Sequence, residues 1–246
     1  TTLALFTPIL FSSGCKHTAE DSYSKGSKDS STAFNDKQIL KLSITMPPQD
    51  WDKLRVEGRD FSSLQCDSSN ESPYEKYKAD ISMDGSYFKG VTIRKKGFLG
   101  SLLQDKPSLK IKLGKGEEFN GLDRFSFNND RQDSSHLKQC LTYDIFASYG
   151  LLAPRCRFTE VTVNGRNLGV YTQVEEVKKD FLHHHLGSSD YTIFEGTLSD
   201  FTSSSLETFE LKYGDHETTV RNKFLAIAKI LESGSKSNLV QKLSQH

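Results

Sequence analysis

No stretch of this 246-residue chain reaches the roughly 18 consecutive apolar residues of a membrane span, so the sequence carries no transmembrane helix signal. A surplus of positive charge is missing too. Lys and Arg number 32 and Asp and Glu number 32, so the electrostatic footprint of a nucleic-acid binder is absent. The four cysteines form no CxxC pair, which argues against a structural zinc site. There is no internal repeat, no Walker loop, no EF-hand spacing and no initiator Met. What remains is a chain long enough for a sizeable core, 26% charged, with a mean hydropathy of −0.55.

The N-terminus is apolar from Leu3 to Phe11 and then reads Ser12, Ser13, Gly14, Cys15. This resembles the end of a secretory signal whose basic segment lies upstream of Thr1. Small residues directly before a cysteine look like a bacterial lipobox, so residues 1–15 are expected to end a signal peptide with Cys15 as the lipidated residue. Ser12 stands where a lipobox usually has Leu, and a plain secretory signal or an apolar strand is the competing reading. Residues 16–37 are Ser-, Lys- and Asp-rich with few apolar side chains, which predicts a disordered tether. An exported chain permits a disulfide. Cys140 with Cys156 would staple a helix to a strand, and Cys66 competes for either partner.

Residues 38–246 are expected to form the folded domain. Ile39 to Ile44 alternates as a strand, and Pro47-Pro48 opens a helix through Trp51 and Leu54. Asp84-Gly85 and Asn164-Gly165 are two-residue hairpin signals between alternating runs. Leu109, Ile111 and Leu113 mark a half-buried strand, and Phe125 and Phe127 another. A helix from about Ser135 to Gly150 carries Leu137, Leu141, Ile145 and Phe146 on one face. Another runs from about Val177 to Leu186. Strands near Tyr191 to Phe194 and Phe209 to Tyr213 precede helices at Val220 to Leu231 and Leu239 to Leu243. Hairpins interleaved with helices predict an α+β domain.

Polar groups gather where these elements end. Arg94, Lys95 and Lys96 precede Gly97, and Lys106, Ser108, Lys110 and Lys112 follow a Gly-containing loop. Two adjacent basic strands bridged by such a loop can hold phosphates, although a solvated lysine face has the same pattern. Glu175 and Glu176 lie between a strand and a helix, as dipole partners or as the ion-pair partner of a phosphate-binding lysine. Asn129, Asp130 and Asp133 offer oxygen ligands to a hard cation, and an Asx turn explains them equally well. His183, His184 and His185 are consecutive on a helix and diverge by about 100° per residue, so they do not converge on one ion.

Several blocks resemble the spore-coat protein H (CotH) kinase family. They are ITMPPQDWDKL at Ile44–Leu54, IRKKG at Ile93–Gly97, PSLKIKL at Pro107–Leu113, FNGLDRFSFNNDRQDSSHLKQCLTYDIFASYGLLAPR at Phe119–Arg155 and VTVNGRNLGVYTQVEEVKKDFL at Val161–Leu182. The resemblance covers about Ile39 to Leu186. It implies a diverged protein-kinase-like fold, mostly an antiparallel N-lobe sheet with flanking helices. It also implies transfer of the ATP γ-phosphoryl to Ser or Thr of a protein substrate, with Mg or Mn. Lys106 matches the lysine that opens the family's KxS strand motif, and Lys96 stands where the family often has Arg before Gly. Glu175 matches the glutamate of the hairpin-to-helix motif and is the implied ion-pair partner. Asn128, Asn129 and Asp133 match the NN…D block. Lys138 departs from the pattern, since members commonly carry Arg there, and loses the bidentate fork.

A larger departure is the absence of the later N-x-D-G and P-W-D-x-D motifs, which hold the family's catalytic and metal-binding aspartates. The resemblance therefore implies the N-terminal portion of an exported, lipid-anchored kinase of the bacterial cell envelope, with the catalytic part missing. The alternative is a non-catalytic envelope lipoprotein that uses the fold to bind a protein or glycan partner.

Overall fold

In a computed structural model the described residues are 33–34, 38–58, 74–98, 101–196, 199–233 and 239–244. The expectations for Cys15, for Cys66 and for nearly all of the tether lie outside them. The described residues divide into two compact units, one up to His185 and one from Leu186 onward. Among the described residues no helix is long and apolar enough to cross a membrane.

The first unit is built on alternation. Strand β1 (Leu40–Thr45) buries Leu40, Leu42 and Ile44 and exposes the residues between them. Helix α1 (Pro48–Val56) starts at a proline pair and buries Leu54. Strands β2 (Tyr77–Met83) and β3 (Ser86–Lys96) form a hairpin across Asp84-Gly85, both at positive φ. Strands β4 (Ser108–Lys112) and β5 (Arg124–Asn128) continue the antiparallel run. After helix α2 (Lys138–Ser148), β6 (Cys156–Val163) and β7 (Arg166–Val174) form the second hairpin across Asn164-Gly165. Helix α3 (Lys179–Leu186) follows.

These seven strands close into a barrel in the order β1-β2-β3-β4-β5-β7-β6. Every neighbouring pair is antiparallel except the seam, where β1 runs parallel to β6 with Leu40 opposite Thr159 and Ile44 opposite Val163. Asn164 latches that seam. Its backbone N–H donates to Ile44 O at 2.8 Å, and its Oδ1 accepts from the Met46 N–H at 3.0 Å. The expectation of a kinase-like N-lobe sheet with flanking helices is therefore corrected: the sheet has no open edges, because Leu40 of β1 pairs with Thr159 of β6, 119 residues further on, and helices are few. A pairing of such range leaves no trace in local periodicity.

Apolar side chains fill the interior, among them Ile93, Leu109, Phe125, Phe127 and Val161, each at most 1% exposed. Lys95 also points inward. Its ammonium caps the C-terminal end of α1, donating to Arg55 O at 2.7 Å and to Glu57 O, where the helix dipole favours a cation. Helix α2 does not behave as its pattern predicts. Leu137, Leu141, Ile145 and Phe146 are 54, 56, 46 and 45% exposed, and its buried side chain is Cys140, disulfide-bonded to Cys156.

The second unit holds the hairpin β8 (Ile193–Gly196) and β9 (Phe209–Tyr213), with helices α4 (Glu217–Glu232) and α5 (Leu239–Leu243). Phe194, Phe201 and Phe209 each lie 5.2–5.4 Å, ring to ring, from Phe224. Arg221 ties the unit together through Glu217, Leu206 O and Phe209 O.

The two classes of apolar residue separate in urea denaturation. Phe127→Ala should cost about 3–5 kcal/mol by emptying the barrel interior, whereas Leu141→Ala should stay within about 0.5 kcal/mol. Equal losses would contradict the exposed placement of α2.

Candidate functional site

Because inward and outward side chains alternate, the polar partners of the barrel's apolar residues share its outer wall. Ser126 and Asn128 lie on the opposite face of β5 from Phe125 and Phe127, and Ser108 and Lys110 are their counterparts on β4. Lys96 ends β3 opposite Ser108. Here the wall borders an open cavity of about 600 Å³ whose rim includes Lys96, Gly97, Asn128, Arg131, Lys138 and Gln139.

Lys96 Nζ donates to Ser126 Oγ at 2.7 Å and Asn128 Oδ1 at 2.6 Å. The Asn128 amide passes the link on, donating to Gln139 Oε1 of α2 at 2.7 Å, and Gln139 donates to Tyr143 OH at 3.0 Å. Asn129 is 3% exposed and braces the loop. Its side-chain amide donates to Ser101 O and Lys106 O, and its backbone N–H donates to Ser108 Oγ. Gly97 sits at φ +122, and a Cβ there would run into Ser101 Oγ, so only glycine lets the loop come this close.

Lys106 turns away from the cavity. Its Nζ donates to Val170 O at 2.7 Å and lies 4.9 Å from the Tyr171 ring centroid. Burial pulls its ammonium below the ordinary lysine range, and the Asp130 carboxylate opposes that shift. Asp133 serves the backbone: Oδ1 accepts from Ser135 N–H and O–H, and Oδ2 accepts from the Lys138 N–H at 2.8 Å, capping α2. Asp130 Oδ2 accepts from Thr172 Oγ1 at 2.7 Å and lies 3.0 Å from His136 Nδ1. The oxygen-rich cluster is thus an Asx-type turn. Among the described residues no group of three or more His, Cys, Asp or Glu side chains could hold a metal ion. The described residues therefore build no protein-held cage for Mg or Mn.

Glu175 and Glu176 part company. Glu175, buried at 4% exposure, pairs with Arg155 at 2.5 Å and lies 3.7 Å from His185. The implied pair between Glu175 and a phosphate-binding lysine is thus replaced by an arginine pair. A glutamate–lysine pair does form next door, from Glu176 to Lys110 at 2.9 Å. Burial alone would raise the Glu176 carboxyl, but Lys110, with Lys178 and Lys96, outweighs it and holds the group below the ordinary carboxylate range. His185 packs against Phe181, with ring centroids 4.4 Å apart and ring planes tilted by 48°.

Of the expected residues, the structure brings Lys96, Asn128, Asn129 and Asp133 to one cavity and leaves Lys106 and Glu175 off its lining. Sequence reasoning missed Ser126 and Gln139. Ser126 was legible as the residue two before Asn128 on the same strand face. Gln139 was not, because it depends on where α2 docks.

The geometry defines a β-barrel with a cationic outer-wall cavity that a neutral hydrogen-bond relay ties to a helix. The family model described as CotH kinase protein matches residues 93–239, and the chain belongs to that family. It is also similar to the inner spore coat protein H of Bacillus subtilis (strain 168), with 27% identity over 187 residues. That match covers 70% of this chain and 48% of the relative, so the chain spans about half the length of the curated relative it matches.

Two consequences are measurable. Glu175→Gln leaves Arg155 partly buried without its counter-charge and should cost about 3–5 kcal/mol in urea denaturation. The Glu176 carboxyl titrates lower folded than unfolded, so its contribution is present above about pH 4 and is lost as pH falls through the folded value. Acid titration of Glu176→Gln should accordingly show a shallower loss of stability below about pH 4 than the parent.

Proposed function

We propose that the cavity beside Lys96 receives the phosphate groups of ATP, in a protein whose whole activity is transfer of the γ-phosphoryl to Ser or Thr of a protein substrate. The observation that carries this reading is the convergence of Lys96, Arg131 and Lys138 on one cavity, while its two carboxylates, Asp130 and Asp133, are committed to neighbouring donors. A volume of about 600 Å³ lies within the roughly 300–1,000 Å³ of small-molecule sites. Lys96 supplies charge, the Asn128–Gln139 relay holds that wall in place, and Gly97 allows close backbone approach. Membership of the CotH kinase protein family supports the same reading.

Mg or Mn neutralises the phosphates when bound. This chain's residues are assigned the phosphates rather than the metal. The N-x-D-G and P-W-D-x-D motifs do not occur in these 246 residues, so binding is proposed for this chain and transfer for the whole protein. We further propose an exported location in the bacterial envelope or coat, supported by the similarity to a spore coat protein and by the lipobox-like Cys15. A lipid on Cys15 would hold the protein at a membrane surface without spanning it. A second reading is a non-catalytic envelope protein that uses the fold to bind a protein or glycan partner.

Isothermal titration of the full chain with ATP in the presence of Mg decides between them. ATP binding weakened at least tenfold by Lys96→Ala supports the phosphate site. No heat from the parent chain sinks it and favours the non-catalytic role.

A further inference from the structure

Helix α2 forms one wall of the cavity through Lys138, Gln139, Thr142 and Tyr143, yet little packing holds it there. Among the described residues of α2, Cys140 is the only buried side chain. Its large apolar residues Leu137, Leu141, Ile145 and Phe146 are about half exposed, and Tyr149, which caps its C-terminus, is 81% exposed. Eleven residues is shorter than the roughly 12–15 at which an isolated helix becomes even marginal in water. Helices of this length persist because a buried face is packed, and among the described residues α2 buries only Cys140.

Three ties take the place of packing. Asp133 caps its N-terminus, Gln139 accepts from the Asn128 amide, and Cys140 is bonded to Cys156. The first two are hydrogen bonds at a solvent-open cavity, worth about 1 kcal/mol each. The third is covalent, closing a loop between residues 16 apart, and it ends on β6. That strand is independently fixed by pairing with β1 on one side and β7 on the other.

We propose that the Cys140–Cys156 disulfide is a redox-sensitive staple that sets α2 as the wall of the phosphate cavity, so that its reduction opens the site while leaving the barrel intact. This rests on the reading of the cavity as an ATP-phosphate site. The reductant is a dithiol. Its thiolate attacks one sulfur, the S–S bond breaks with uptake of two electrons and two protons, and the dithiol becomes a disulfide. Cys140 and Cys156 are left as thiols. Once α2 is released, the Asn128–Gln139 hydrogen bond is lost, and with it the relay that holds Asn128 against Lys96.

The test compares the full chain oxidised, reduced by dithiothreitol, and reoxidised, with hydrogen exchange and Mg-ATP titration on each. On reduction the amides of residues 139–149 should exchange at least tenfold faster while β1, β2 and β3 keep their protection. The Kd for ATP should rise at least fivefold, and both changes should reverse on reoxidation. Cys140→Ser should reproduce the reduced state. Unchanged exchange in α2 overturns the staple, and so does loss of protection across β1–β3, which would make the disulfide a support of the whole barrel. Equal ATP affinity in both states overturns the gating. If the oxidised chain binds no ATP at all, the phosphate reading fails, and the exchange data alone decide the staple.

Discussion

Everything described in the first unit depends on the parallel seam between β1 and β6. Without that pairing the strands form a curled sheet with two raw edges, and the outer wall has no fixed curvature on which to place side chains. With it, each inward apolar residue fixes the direction of its outward neighbours. Phe125 and Phe127 cannot fill the barrel unless Ser126 and Asn128 face out. The site is therefore a by-product of closure: its polar groups are the alternate residues of strands whose other residues make the core.

The buried ionic groups sit where regular structure ends. Lys95 answers the carbonyls of α1, and Arg155 answers Glu175 at the exit of β7. Both satisfy groups that closure takes out of water, and neither points a charge at the cavity. The cations that line the cavity are Lys96, Arg131 and Lys138, on the rim rather than in the interior, with Lys96 held by Ser126 and Asn128 and Lys138 lying 3.9 Å from Asp133. A barrel of this kind separates the charges that stabilise it from those that are offered to a ligand.

Much of the local structure was legible. The Asp84-Gly85 and Asn164-Gly165 turns, the Pro47-Pro48 helix start and the alternation of β1, β4 and β5 are all short-range signals, and each falls where it was expected. What was not legible is non-local. Barrel closure pairs residues 119 positions apart, such as Leu40 with Thr159, and the apolar stripe of α2 reads as a core-facing stripe although Leu141 and Ile145 are exposed. The site was half visible for the same reason. Lys96 and Asn128 could be placed together by strand-end logic, whereas Lys106 and Glu175, expected from their neighbours along the chain and again from the family resemblance, turn to Val170 and Arg155 instead. The Cys140–Cys156 bond settles a choice that sequence left open with Cys66.

The seam also sets a timetable. A ribosome adds about 5–20 residues each second, and the strand that covers the far edge of β1 is completed at Val163, 118 residues after β1 ends at Thr45. For roughly 6 to 24 s the nascent chain displays Leu40, Leu42 and Ile44 on a strand that can pair with β2 but whose second neighbour does not yet exist. Hairpins can form early, but the barrel waits for its last strands. Such late, long-range pairing is the slow step of β-rich folds and the interval in which they aggregate. A chain of this topology gains from being held unfolded until its sixth strand has arrived.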